Sequence, residues 1–174
     1  MNNLQSRISA ARLIENPSVR SSQVKELLAD LGSSLAIADV AKEVLKLVRD
    51  TLSWQETADF IHSLPEDIRR HSYIHEQELL ARAETGQTES AIASLLSLIE
   101  IQGDTPERRG LIGGRYKRLW KQAKIQRETL GQDAPSLDEK RYLEKAIENY
   151  TIGMELDLNE YYCACNLQIG RAHV

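Results

Sequence analysis

Apolar residues recur at helical spacing along nearly the whole chain, and no run of four or more residues alternates cleanly between apolar and polar. That pattern excludes half-buried β-strands and predicts an all-α fold. Val24, Leu27, Leu28 and Leu31 share one face of a helix, and Ile37, Val40, Ala41, Val44 and Val48 share the face of the next. Further on, Ile92, Leu95, Leu96 and Ile99 form an inner side, and Leu143, Ile147, Tyr150 and Met154 another. With only four Pro and nine Gly in 174 residues, little interrupts these stretches.

Start and stop signals divide the pattern into helices. Ser53 with Glu56 reads as a capping box ahead of Trp54, Ala58 and Ile61, and Ser136 with Glu139 as a second. Pro65, followed by Glu66 and Asp67, suits the first turn of a helix that breaks near His71 to Tyr73 and ends at Gly86. Thr88 is placed to cap the next. Thr105-Pro106-Glu107 opens a long helix reaching about Arg127, Leu130 to Pro135 is loop, and a last helix begins near Asn159. The short connections predict antiparallel neighbours.

The net charge of −4 provides no general attraction to nucleic acid or membrane. No apolar run is long enough for a membrane span. Cys163 and Cys165 sit one residue apart and provide neither a disulfide framework nor a zinc pattern, which points to a reducing cytoplasm.

Helix pairs in series call for a search for repeats. Gly86-Gln87-Thr88-Glu89-Ser90-Ala91, with Leu95 and Leu98 following, resembles the turn and small contact residue of a tetratricopeptide repeat. Ala146, Tyr150 and Gly153 have the spacing of that repeat's second helix, and Leu156-Asp157-Leu158 resembles its end, with Leu158 where Pro is usual. The run Gly113-Gly114-Arg115-Tyr116-Lys117-Arg118, then Tyr142 to Tyr150, then Glu160-Tyr161-Tyr162 to Asn166-Leu167, resembles the TRAFs-binding domain of stress-activated MAP kinase kinase kinases, in its bacterial-type form. The resemblance covers Ala83 to Leu167, and the excursion from Lys121 to Ser136 departs from it. It implies a tetratricopeptide-like α-solenoid of antiparallel helix pairs acting as a regulatory scaffold. Its repeat contacts would be Gly86, Ala91, Leu95, Gly113, Tyr116, Ala146, Tyr150 and Gly153.

Candidate chemistry is sparse. His71 and His75, four apart with Glu76 and Glu78 nearby, could share a helix face, but no third ligand stands at a fixed distance, so no metal and no cofactor are expected. Gly110 and Gly113-Gly114 lack the Lys-Ser/Thr of a phosphate loop and read as close helix packing. No nucleophile with a base and an orienting group is present in pattern, so no catalytic residue is expected.

The strongest charge feature is basic. Arg108, Arg109, Arg115, Lys117, Arg118, Lys121, Lys124 and Arg127 are uninterrupted by acid and interleaved with Tyr116 and Trp120. A nucleic-acid-binding face over 108–127 is the alternative this permits. However, Ile112, Tyr116, Leu119 and Ala123 form an apolar stripe turned to the core. The next helix is acidic, with Asp138, Glu139, Glu144, Glu148, Glu155 and Asp157, and antiparallel packing would match the two.

The reading is therefore a single helical-repeat domain over 1–167, better matched over 83–167, that binds a protein or peptide partner in a concave groove. Trp54, Tyr73, Trp120, Arg115 and Arg118 are the candidate partner contacts. Residues 168–174 are expected to be a non-native tail: from Gln168 they back-translate into the start of a common short-read sequencing adapter. The native sequence would then differ beyond Leu167, and an uncovered apolar end would favour association.

Overall fold

The computed structural model describes the backbone of residues 2–159 and 161–171, and the side chains of 4–32, 34–159 and 161–167. Ten α-helices follow one another with no strand among the described residues: α1 (Asn2–Arg12), α2 (Pro17–Leu31), α3 (Ala38–Thr51), α4 (Trp54–Ser63), α5 (Glu66–Arg69), α6 (Ser72–Glu84), α7 (Thr88–Gln102), α8 (Pro106–Thr129), α9 (Leu137–Leu156) and α10 (Tyr161–Arg171). A 3-10 turn, Gly32–Ala36, links α2 to α3. The expected all-α class is the one observed. Where the sequence suggests one repeat domain over 1–167, the contacts divide the chain into two compact units, residues 1–85 and 86–174. The division falls at Gly86, whose φ of +105° makes the turn after α6 at a position that favours glycine.

The first unit is organised around α3, which packs against α1, α2, α4 and α6. Its buried Ala41, Val44, Leu45, Leu47 and Val48 meet Ile8 of α1, Val24 and Leu27 of α2, Phe60 and Ile61 of α4 and Ile74 of α6 in one core. Ile37 is not part of that face. It lies outside the helix as its N-cap and is exposed, because its extended backbone turns the side chain away before the helical period begins. α1 is read only from the structure: Leu4, Ile8 and Ala11 at i, i+4, i+7 join the core from within a polar segment. Pro65 precedes α5 in extended conformation and caps it rather than occupying its first turn.

The capping box at α4 forms in full. The Glu56 amide donates to the Ser53 hydroxyl at 3.2 Å, and the Ser53 amide donates to the Glu56 carboxylate at 3.0 Å. Lys25 of α2 reaches the same carboxylate at 2.8 Å. That ammonium first, then the Ser53 amide and hydroxyl, hold the Glu56 carboxyl down at about 2, against an ordinary 4.5. A depressed pKa of this kind contributes stability above about pH 4.5, and the contribution is lost as pH falls through about 2. Thermal melts of the chain and of Glu56→Gln from neutral pH downward should differ by a constant amount above that window and converge at its acid end. A constant difference at every pH would remove Glu56 from the acid response.

In the second unit, α7 packs on α8, α8 and α9 pair along their lengths, and α10 seats on both. Thr88 is the first residue of α7 and is buried; Gln87 holds the cap position. Leu98, not Leu96, completes the buried side with Ala91, Ile92 and Leu95, since Leu96 is exposed. The last helix begins at Tyr161, and its backbone stays helical to Arg171, past the point where the sequence pattern fades. Glu160 and Ala172 to Val174 lie outside the described residues.

Candidate functional site

The α8–α9 pair is the longest feature of the second unit, and its ends are set locally. The Thr105 hydroxyl accepts from the Arg108 amide at 3.2 Å, ahead of Pro106 at the first position of α8. The Ser136 hydroxyl accepts from the Glu139 amide at 3.0 Å and opens α9. Glu139 does not turn back to complete a reciprocal box in the manner of Glu56. Its buried carboxylate accepts instead from Arg127 Nε of α8 at 2.9 Å. Near the other end, Arg109 Nη1 donates to Asn149 Oδ1 at 3.0 Å. These two bonds tie the end of α8 to the start of α9 and the start of α8 to the second half of α9, so the basic and acidic helices run antiparallel and in contact.

Small residues set how closely the three helices meet. The ring of Tyr150 covers Gly113, and a methyl group added there would sit 3.0 Å from the ring. A methyl at Gly153 would lie 2.6 Å from Cys163 Sγ, 3.2 Å from Arg109 Cβ and 3.4 Å from the Pro106 carbonyl oxygen. Ala146, Tyr150, Cys163 and Leu167 form the small core beneath, with Tyr116, Ile147 and Met154 packed against it. Tyr162 meets Tyr150 edge to face, with ring centroids 6.1 Å apart. Burial pushes the Tyr150 hydroxyl well above its ordinary value, and that hydroxyl makes no well-aligned hydrogen bond among the described residues.

Beyond the seat of α10, the groove between α8 and α9 continues as an open pocket of about 420 Å³. Trp120, Leu143 and Ile147 provide its apolar lining, and Lys124, Arg127, Glu139, Lys140 and Glu144 its charged lining. Lys124 Nζ stands 5.6 Å from the centre of the Trp120 ring. Lys117, Lys121 and Lys124 recur at i, i+4, i+7 on α8. Burial, and after it the charge of Lys121, pull the Lys117 ammonium below its ordinary value. Lys117 Nζ donates to Asn166 of α10 at 2.9 Å. A second hollow, of about 310 Å³, opens among α7, α8 and α9 at Glu89, Ile92, Tyr116, Leu119, Arg141, Tyr142 and Lys145. There Tyr116 stacks on Tyr142 with centroids 6.4 Å apart.

The residues singled out from sequence are distributed unevenly over these features. Gly113, Ala146, Tyr150 and Gly153 come together at the α8–α9–α10 seam, with Tyr116 at its margin. Ala91 and Leu95 are buried on α7, and Gly86 is the exposed turn before it. Trp54 and Tyr73 are half-buried in the first unit and lie outside this site. Trp120 is buried, with 6% exposure, so it floors the pocket rather than projecting from it. Arg115 and Arg118 are half-buried, and burial lowers the Arg115 guanidinium pKa. Of the expected stripe on α8, Ile112 is buried, whereas Leu119 and Ala123 are half-buried beside an open hollow. His71 is exposed, and no group of metal-ligating side chains exists among the described residues. Sequence reasoning missed Lys140 and the register that brings it opposite Lys124. Its only signal was a lysine one turn before Glu144, in a helix where Arg141 and Lys145 each have an acid three residues away and Lys140 is not paired in that way.

Residues 53–169 match the sequence profile of the family described as Tetratricopeptide Repeats-Sensor. The chain belongs to that family. The match begins at the α4 capping box and runs into α10, so it takes in the whole α8–α9 groove and leaves α1 to α3 outside. No curated protein and no solved structure matches the chain. No helix among the described residues is long and apolar enough to cross a membrane.

Proposed function

We propose that this member of the Tetratricopeptide Repeats-Sensor family is a protein-interaction or regulatory scaffold module with no chemistry of its own, acting in the cytoplasm. Its partner surface is the open part of the groove between α8 and α9. The observation that carries this reading is that groove itself: apolar at its floor, lined by charge, and already occupied by a helix, α10, over its other half. The family description as a sensor and the resemblance of the second half to the bacterial-type TRAFs-binding domain support a regulatory role. Several cations of the 108–127 run are engaged within the chain. Arg108 donates to the Gly103 carbonyl and to Gln102, Arg109 to Asp104 and Asn149, and Arg127 to Glu139. That engagement favours a protein partner over the nucleic-acid alternative, which needs those groups for phosphates.

Selection of peptides from a random displayed library on the full chain tests the reading. Enriched peptides should bind the purified chain, and Leu143→Lys, at the pocket floor, should weaken binding by roughly tenfold or more. Failure to enrich any peptide, or binding indifferent to Leu143→Lys in a folded variant, would overturn it.

A further inference from the structure

Resting on that reading, we infer that the groove takes an acidic segment of a partner protein. An apolar side chain of that segment fills the Trp120–Leu143–Ile147 pocket, and its carboxylates lie against Lys121, Lys124 and Lys140. Two independent features carry this. The first is continuity: the groove on α8 and α9 that seats α10 runs on uncovered toward the helix tips, so its shape already accepts a helix. The second is an imbalance of charge. The carboxylates of α9 are largely satisfied by their own surroundings: Glu139 by Arg127, Asp138 by Arg141 at 2.9 Å, and Glu148 by Lys145 at 2.7 Å. Lys121, Lys124 and Lys140 have no carboxylate partner among the described residues, and Lys121 and Lys140 are exposed. Desolvating the pocket under a partner would strengthen these cations' attraction for a carboxylate. Of the two acids lining the pocket, Glu139 is held by Arg127, and Glu144, exposed at the rim, is set against such a partner.

The test uses the full chain carrying Trp54→Phe, so that Trp120 is the sole indole. The probes are a synthetic amphipathic helix of leucine and glutamate, its lysine-for-glutamate counterpart, and a single-stranded oligouridine. The glutamate helix should bind, shift Trp120 emission and weaken as salt rises. Lys124→Glu with Lys140→Glu should weaken binding by roughly tenfold or more, and Glu144→Lys should tighten it severalfold. Lys42→Glu, on α3, should change nothing. If the double variant does not fold, Lys124→Gln and Glu144→Lys carry the comparison.

The inference is overturned if the lysine helix binds as well as the glutamate helix, or if oligouridine binds more tightly at the same residues. It is also overturned if the unliganded chain self-associates and Lys124→Glu disperses it, which would make this face an interface between copies. Library peptides that bind the groove without acidic bias would sink the inference and leave the proposed function standing. Absence of binding by peptides of any charge would sink both.

Discussion

Replacing Gly153 by valine should destabilise the second unit by about 1–3 kcal/mol, since overpacking a closed junction forces backbone or rotamer shifts. The cause is specific. Cys163 Sγ, Arg109 and the Pro106 carbonyl converge on the bare face of Gly153, and the sulfur comes close enough that even a methyl group cannot enter without displacement. Gly153→Ala should therefore lower the melting temperature as well, by less. Because Cys163 Sγ is the nearest obstacle, Cys163→Ala should recover part of the loss in the Gly153→Ala background. A double-mutant cycle read by thermal denaturation would show a coupling of about 0.5 kcal/mol or more between the two positions. Additive effects, or a Gly153→Ala protein as stable as the parent, would mean that α8, α9 and α10 do not meet as closely as described.

Tyr150 should give the second large effect, with a sign that depends on the substitution. Its side chain is fully buried against Gly113 and Tyr162. Truncation to alanine should cost about 3–5 kcal/mol, the range for removing a large buried aromatic ring. Tyr150→Phe should be neutral or slightly stabilising. It removes a buried hydroxyl that makes no well-aligned hydrogen bond among the described residues and is only weakly compensated by the neighbouring Tyr162 hydroxyl, and so removes most of a desolvation penalty. Denaturant midpoints of the three proteins decide the matter. A Phe variant destabilised by more than about 1 kcal/mol would show that the hydroxyl makes a bond of ordinary strength.

These residues also mark where sequence reasoning was sufficient. Ala146, Tyr150 and Gly153 are legible because they repeat at i, i+4, i+7 on one helix and differ in size in a way that only close packing explains. The caps at Ser53, Thr105 and Ser136 are legible because each bond spans three residues. The break between α5 and α6 falls within a residue or two of the His71 to Tyr73 stretch where the sequence suggests one, although the shortness of α5, four residues, is not legible. Ile37 and Leu96 illustrate the limit. Both fit the helical period, yet the extended backbone at the cap turns one outward and the placement of neighbouring helices leaves the other in solvent.

The candidate site was less legible than the fold. The basic run on α8 reads as one feature in sequence, but the structure divides it by partner. Arg109 is held by Asn149, forty residues away, and Arg127 by a glutamate that the capping pattern had assigned to its own backbone. What remains without a carboxylate partner among the described residues is a lysine set whose third member, Lys140, comes from the opposing helix. The sequence by itself determined the helical class, most helix ends and the small residues of the α9 seam, because hydrogen bonds and periodicity act over a few residues. The tertiary structure alone decided that Trp120 is a floor rather than an anchor, which cations are left without carboxylates, and where the groove stays open, because burial and charge pairing depend on which helices come together.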